Sequence, residues 1–274
     1  MIVARIFPKD SGLYERCRNP LSKIGELLDN FAVIRLFVIW SLTVTGTTLA
    51  SGLDDRFLYW DWSTWTGGLL RLMISSLLFI LVLHPKSLWI AGSKRLNELG
   101  FAVHSALALL FIVIGGIGYI NDWGRFLLNT LPYVVGFTAG LLVFQFTLVL
   151  DDTKGEWNVE HWDNKFMFLG LSCLLFGLAA ISGIYFDDPI LSTVSMVNLP
   201  FSLVAMVFTS HVRHLQRARF YPLFIFSLFL CVRAPWFLVP LAVLFFTFRT
   251  INYFRYGIVH PSFGVDFDEA SHYV

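Results

Sequence analysis

The chain has 274 residues, of which 56% are hydrophobic and 14% charged, and its formal net charge is +1. Soluble domains carry about 25% charged residues, and a soluble core of this length could not bury so much apolar surface. The composition therefore excludes an ordinary soluble domain and predicts an all-α integral membrane protein, while the near-neutral charge argues against nucleic acid as a partner.

The chain begins with a polar and charged segment, residues 1–30. This segment lacks the apolar core of about seven to fifteen residues that characterises a signal peptide. We therefore expect it to be a cytoplasmic N-terminal segment. Its last part, Ser22–Asn30, is expected to form a short interfacial helix that leads into the first span.

The next region, residues 31–250, is predicted to form the transmembrane helical domain. A spanning helix needs about 20 apolar residues, with a range of about 17–25. Six segments have this length and are predicted to be single spans. They are Phe31–Ala50, Thr66–Leu83, Leu99–Ile120, Phe126–Leu150, Phe166–Phe186 and Ile190–Ser210.

A seventh apolar stretch, Phe220–Phe248, is longer than one span requires. Near its middle lie Arg233, which is costly at the centre of a bilayer, and Pro235, which would remove a helical hydrogen bond. We therefore predict a short hairpin of two helices broken at Arg233-Pro235, which gives eight spans. A single kinked helix, giving seven spans, is the alternative. Residues 251–274 contain turn residues and an acidic run, and are predicted to be a cytoplasmic tail.

Lys and Arg are distributed unevenly between the two sides of the predicted bundle. The segments on the N-terminal side carry most of them, whereas the opposite loops carry only Arg56 and Arg125. Lys and Arg are enriched in cytoplasmic loops. The N-terminus, and with eight spans also the C-terminus, is therefore expected in the cytoplasm, and the protein in a cell inner membrane.

Imidazole and carboxylate groups near the predicted cytoplasmic boundary are the candidates for catalysis, because both groups can transfer protons. The loop after the fourth span is the densest polar segment between spans, and a His-x-x-His pair follows the sixth. We predict neither a metal site nor a cofactor. The candidate catalytic residues are His104, Asp151, Asp152, His161, Asp163, His211 and His214.

Polar groups inside the spans are candidates for ligand binding, because such groups are costly in lipid unless they have a partner or a function. These candidates are Gln145, Asn198 and Arg233. An interhelical hydrogen bond is the alternative role for each of them. Small residues, among them Gly115 and the pair Gly136 and Gly140, are predicted to mark close contacts between helices.

Three functions are compatible with these features. The shortage of buried ionisable groups and the abundance of Phe favour a non-catalytic membrane subunit or scaffold, with the lipid bilayer and other membrane subunits as partners. The first alternative is a membrane-embedded enzyme that acts on a lipid or isoprenoid at the cytoplasmic face. The second is a transporter of a small apolar or neutral solute. A cavity between the third, fourth and sixth spans would distinguish these functions most directly.

Overall fold

The computed structural model describes residues 2–51, 62–146, 148–151, 156–159, 162–208, 212–257 and 259. This part of the chain contains ten α-helices and one antiparallel hairpin of two strands. Eight of the helices are long and apolar enough to cross a membrane. The fold is therefore a polytopic all-α bundle, which confirms the predicted fold class and the predicted eight spans.

The elements follow one another along the chain as two N-terminal helices, eight spans and a hairpin between the fourth and fifth spans. The helices are α1 (Ile2–Ile6), α2 (Gly12–Asn30), α3 (Leu36–Ser51), α4 (Trp65–Leu78), α5 (Glu98–Gly116), α6 (Trp123–Val143), α7 (Lys165–Tyr185), α8 (Pro189–Val207), α9 (Val212–Arg233) and α10 (Leu238–Tyr256). The strands are β1 (Leu148–Asp151) and β2 (Glu156–Val159). A 3-10 turn, Val33–Arg35, precedes α3, a π-helical turn, Phe79–Leu83, extends α4, and a 3-10 turn, Pro235–Phe237, precedes α10.

Side-chain caps fix the starts of several helices. Ser11, Asn97 and Asp122 each accept a hydrogen bond from a backbone N–H in the first turn of α2, α5 and α6, respectively. Asp188 does the same for α8, where Pro189 occupies the first helical position. These caps satisfy N–H groups that lack a partner inside the helix. Proline is favoured at the first position because it has no N–H to satisfy.

The predicted break at Arg233-Pro235 is confirmed, because α9 ends at Arg233 and α10 begins at Leu238. Neither helix is short, however. The helix α9 begins at Val212, before the apolar stretch, and α10 continues to Tyr256, beyond it. Arg, Gln and Leu are good helix formers, so the polar residues that flank the apolar stretch lengthen both helices.

The predicted fourth span, Phe126–Leu150, extends too far. The helix α6 ends at Val143, and the residues from Leu148 onward form strand β1, in which Leu148 pairs with Val159 of β2. An apolar run does not by itself distinguish a helix from a short strand. The hairpin thus occupies part of the polar loop that follows the fourth span.

The N-terminal helix is longer than predicted and packs against the last span. It covers Gly12–Asn30 instead of Ser22–Asn30. The hydroxyl of Tyr14 donates to the backbone oxygens of Tyr253 and Phe254, at 3.2 and 3.3 Å. Burial raises the pKa of Tyr14, so this hydroxyl stays a donor. Both ends of the described chain therefore meet on one face of the bundle, which we call the terminal face.

The first span, α3, lies at the centre of the bundle and packs against α4, α5, α6 and α9. Its approach to α5 is close at two glycines. A Cβ atom on Gly115 would lie 1.7 Å from the backbone oxygen of Thr43, and one on Gly46 would lie 1.7 Å from that of Ile112. Gly115 therefore marks a close helix contact, as the sequence predicts.

Candidate functional site

A cavity of about 420 Å³ lies between α3, α6, α8 and α9. It extends from the loop 84–97, on the terminal face, to Tyr133 in the middle of α6 and to Leu191 near the start of α8. Small-molecule sites in proteins typically have volumes of about 300–1,000 Å³ and mostly apolar walls. Apolar wall residues of this cavity are Val38, Phe137, Phe176, Leu223 and Phe226.

Two glycines of α6, Gly136 and Gly140, form part of the cavity wall. A Cβ atom on Gly140 would have no heavy atom within 4 Å, and one on Gly136 would lie 3.7 Å from the Cβ of Ala179. The close helix contact predicted for this pair is therefore wrong at Gly140. The absent side chain leaves open space there instead of bringing two backbones together.

Two arginines line the cavity near the terminal face, Arg35 and Arg219, and both are half-buried. The Nη1 of Arg35 donates to the backbone oxygen of Trp89 at 2.5 Å. The guanidinium carbon of Arg219 lies 4.6 Å from the centre of the Phe144 ring, and its Nε is buried without a hydrogen-bond partner in the described chain. No carboxylate among the described residues forms an ion pair with either arginine. The cavity therefore has a cationic end.

Two further polar residues line the deeper part of the cavity. Asn198, in the middle of α8, is 3% exposed, and its Oδ1 has no hydrogen-bond partner among the described residues. Tyr133 of α6 is also buried, and its hydroxyl donates to Oδ2 of Asp188 at 2.6 Å. A buried acceptor without a partner is unfavourable, so Asn198 is suited to accept a hydrogen bond from a bound molecule.

The other two residues predicted to bind a ligand lie outside the cavity lining. Gln145 is 1% exposed and follows α6 in a turn, where its Oε1 accepts from the N–H of Leu96 at 2.9 Å and its Nε2 donates to the oxygen of Leu141. It therefore anchors the loop 84–97. Arg233 is half-buried at the end of α9, on the face opposite to the terminal face.

His104 is buried in α5, and both of its ring nitrogens are engaged by the backbone. Its Nε2 accepts from the N–H groups of Ile90 and Ala91, both at 3.1 Å. Because Nε2 accepts, the ring proton lies on Nδ1, which donates to the oxygen of Gly100 at 2.7 Å. The imidazole thus holds the loop 84–97, and its ring packs 5.3 Å from that of Trp89, a cavity residue.

The remaining candidate catalytic residues are not assembled into one site in the described chain. Asp163 forms an exposed ion pair with Arg95 at 2.6 Å, and the ring of His214 lies 5.7 Å from that of Phe208. Among the described residues, no three His, Cys, Asp or Glu side chains are placed to hold a metal ion. Four candidates lie where the structure does not describe the side chain, namely Asp151, Asp152, His161 and His211.

Sequence reasoning missed the arginines as site residues. In the sequence, Arg219 directly precedes the apolar stretch Phe220–Phe248, whereas the structure places it inside α9, where it lines the cavity. Arg35 stands near the end of the first span, where a long basic side chain is ordinary. No local sequence pattern identifies either residue as part of a site, because the site forms only where the start of α3 meets α9, and these elements are far apart in sequence.

The eight apolar helices define a multi-pass helical membrane protein. Comparison of the chain with protein-family models, curated proteins and solved structures finds no match. Within the described structure, the cavity is the feature that bears most directly on function.

Proposed function

We propose that this protein binds an amphiphilic molecule, a lipid or an isoprenoid, in the cavity between α3, α6, α8 and α9. The observation that carries the proposal is the combination of apolar walls with a polar end at the terminal face. The apolar walls suit a hydrocarbon chain, because apolar surface is favourably removed from water there. The arginines at the end suit a polar head group.

The cavity supports binding more strongly than catalysis. A general acid or base must lie about 2.6–3.2 Å from the group with which it exchanges a proton. Three candidate catalytic residues have described side chains, His104, Asp163 and His214, and none of them lines the cavity. We therefore favour a lipid-binding membrane subunit or carrier over a membrane-embedded enzyme that acts on the same class of molecule.

We further propose that the terminal face is cytoplasmic and that the protein lies in a cell inner membrane. Lys and Arg are concentrated in the segments on this face, as they are in cytoplasmic loops generally. The head group of the bound amphiphile would then lie at the level of the cytoplasmic leaflet.

A cavity-filling substitution tests the proposal. The protein would be purified in mild detergent and its bound lipids counted by native mass spectrometry. The variant Gly140→Leu places a side chain where a Cβ atom meets nothing within 4 Å, so it should fold and should retain less lipid than the unchanged protein. Gly170→Leu is the matched control, because Gly170 lies on α7 outside the cavity lining.

Two results would contradict the proposal. One is an unchanged protein that carries no bound lipid under conditions in which it remains folded. The other is equal retention by the unchanged protein, Gly140→Leu and Gly170→Leu, which would place the bound lipid on the outer surface of the bundle.

A further inference from the structure

The charged residues that line the cavity are all positive. Among the described residues that line the cavity, Arg35 and Arg219 are the only charged ones, and no Asp or Glu is present. They come from different helices, the 3-10 turn before α3 and the second turn of α9. Two half-buried cations in one cavity are weakly solvated. An anion bound at this end of the cavity would compensate for the lost solvation.

The hydrogen-bonding capacity of the two side chains is also largely unused. A guanidinium has five N–H donors. Within the described chain, Arg35 makes one hydrogen bond, which its Nη1 donates to the backbone oxygen of Trp89. Arg219 packs against the ring of Phe144 and donates no hydrogen bond to a described residue. Donors thus remain available where the cavity reaches the terminal face.

Neighbouring groups hold both side chains in place. The hydrogen bond to Trp89 orients Arg35, and the ring contact with Phe144 orients Arg219. Phe144 in turn lies beside the loop 84–97, since a Cβ atom added to Gly92 would be 3.5 Å from its ring. Preorganised guanidinium groups bind planar or tetrahedral oxyanions with paired hydrogen bonds.

We infer that the amphiphile in this cavity carries an anionic head group of the phosphate type, bound jointly by Arg35 and Arg219. The inference rests on the proposed function and specifies the ligand class of the same cavity. The chain of the ligand lies against Phe137 and Phe226, and the head group lies at the terminal face.

The test compares ligands that share one chain. The full protein in dodecyl maltoside micelles would be titrated with dodecyl phosphate, with dodecanol and with inorganic phosphate, and its thermal unfolding followed. A ligand that binds the folded state raises the unfolding temperature. Dodecyl phosphate should raise it more than dodecanol, and inorganic phosphate alone should have little effect because it lacks the chain.

Substitutions of the two cavity arginines then test whether dodecyl phosphate stabilises the protein by binding to them. In Arg219→Gln and in Arg35→Gln, the apparent affinity for dodecyl phosphate should fall about tenfold or more, because each variant loses a charge-assisted contact. The affinity for dodecanol should fall much less, because its hydroxyl group carries no charge. Arg217→Gln is the control, since Arg217 is exposed on the same helix and does not line the cavity. The unfolding temperature of each variant without ligand reports whether it folds.

The outcomes separate the inference from the proposed function. If dodecyl phosphate and dodecanol stabilise equally, the cavity binds an amphiphile but the anionic head group is wrong. If inorganic phosphate alone stabilises as strongly as dodecyl phosphate, the arginines form a free-anion site and the amphiphile is wrong. If none of the three stabilises the protein, both the inference and the proposed function fail.

Discussion

The hydroxyl of Tyr133 donates a hydrogen bond of 2.6 Å to Oδ2 of Asp188. The other oxygen of Asp188 accepts from the N–H groups of Ile190 and Leu191, which begin α8. One buried carboxylate therefore joins α6 to the start of α8. Because Tyr133 also lines the cavity, this bond fixes the distance between two of the cavity walls at the end opposite to the arginines.

Removing the Tyr133 hydroxyl should destabilise the protein. Tyr133→Phe keeps the ring but leaves a buried carboxylate with one donor fewer, so the free energy of unfolding should fall by about 1–3 kcal/mol. Tyr185→Phe is the control, because Tyr185 is 82% exposed, and it should change stability little. The free energy of unfolding of each variant would be measured by adding a denaturing detergent to the protein in mild detergent micelles. Equal stability of the two variants would mean that the Tyr133–Asp188 bond contributes nothing.

His104→Ala should release the loop 84–97 without removing a group that contacts the ligand. The variant loses two hydrogen bonds to the loop and one within α5. Side-chain hydrogen bonds between transmembrane helices contribute about 0.6 kcal/mol on average and up to about 1.7 kcal/mol, and we expect bonds to this loop to contribute on the same scale. Trypsin should therefore cleave faster after Lys94, which is exposed in the loop. Leu99→Ala, at a 70% exposed position of the same helix, is the control.

A different outcome would return His104 to the candidate active site. If His104→Ala abolished lipid retention while cleavage after Lys94 and the unfolding profile stayed unchanged, the imidazole would be a ligand-binding or catalytic group. The two backbone N–H donors at Nε2 would then be incidental to its role.

Gly115→Ala should separate α3 from α5. The added methyl group would lie 1.7 Å from the backbone oxygen of Thr43, and a backbone atom cannot move aside without its helix. Such overpacking lowers stability by about 1–3 kcal/mol, occasionally more. Gly140→Ala is the matched control in α6, where the methyl group meets nothing within 4 Å and a better helix former replaces glycine. A stable Gly115→Ala protein would contradict the close helix contact.

The orientation of the bundle is tested by reporters at the two ends. The contact between Tyr14 and Tyr253 places both ends of the described chain on one face. Reporters fused to the N-terminus and to the C-terminus should therefore give the same signal, and the cytoplasmic signal if Lys and Arg set the orientation. Signals from opposite sides would contradict the eight-span fold, and an external signal from both would reverse the proposed orientation.

Some features of the fold could be predicted because certain residue types are unfavourable in a membrane helix whatever their neighbours are. Arg233 and Pro235 together are unfavourable inside a membrane helix, so the break at this point was predictable. The end of α6 and the start of α9 were not predictable. The first depends on the pairing of β1 with β2, and the second on polar residues that extend the helix beyond the apolar stretch.

The candidate site was less predictable, because it depends on which helices become neighbours. Gly136 and Gly140 have the spacing of a packing motif, yet Gly140 faces a cavity. His104 resembles a functional imidazole in sequence, and only the folded loop shows that its nitrogens bind the backbone. Asn198 was selected as a costly intramembrane amide, and the structure places it in the cavity wall.

The most direct measurement is a structure of the protein in lipid nanodiscs, at a resolution that shows bound lipid. We expect elongated density in the cavity, with its head group between Arg35 and Arg219 and its chain passing between α6 and α9 towards Asn198. A cavity that contains only isolated water density, or that is closed by its own side chains in the presence of lipid, would show that the protein does not bind an amphiphile there.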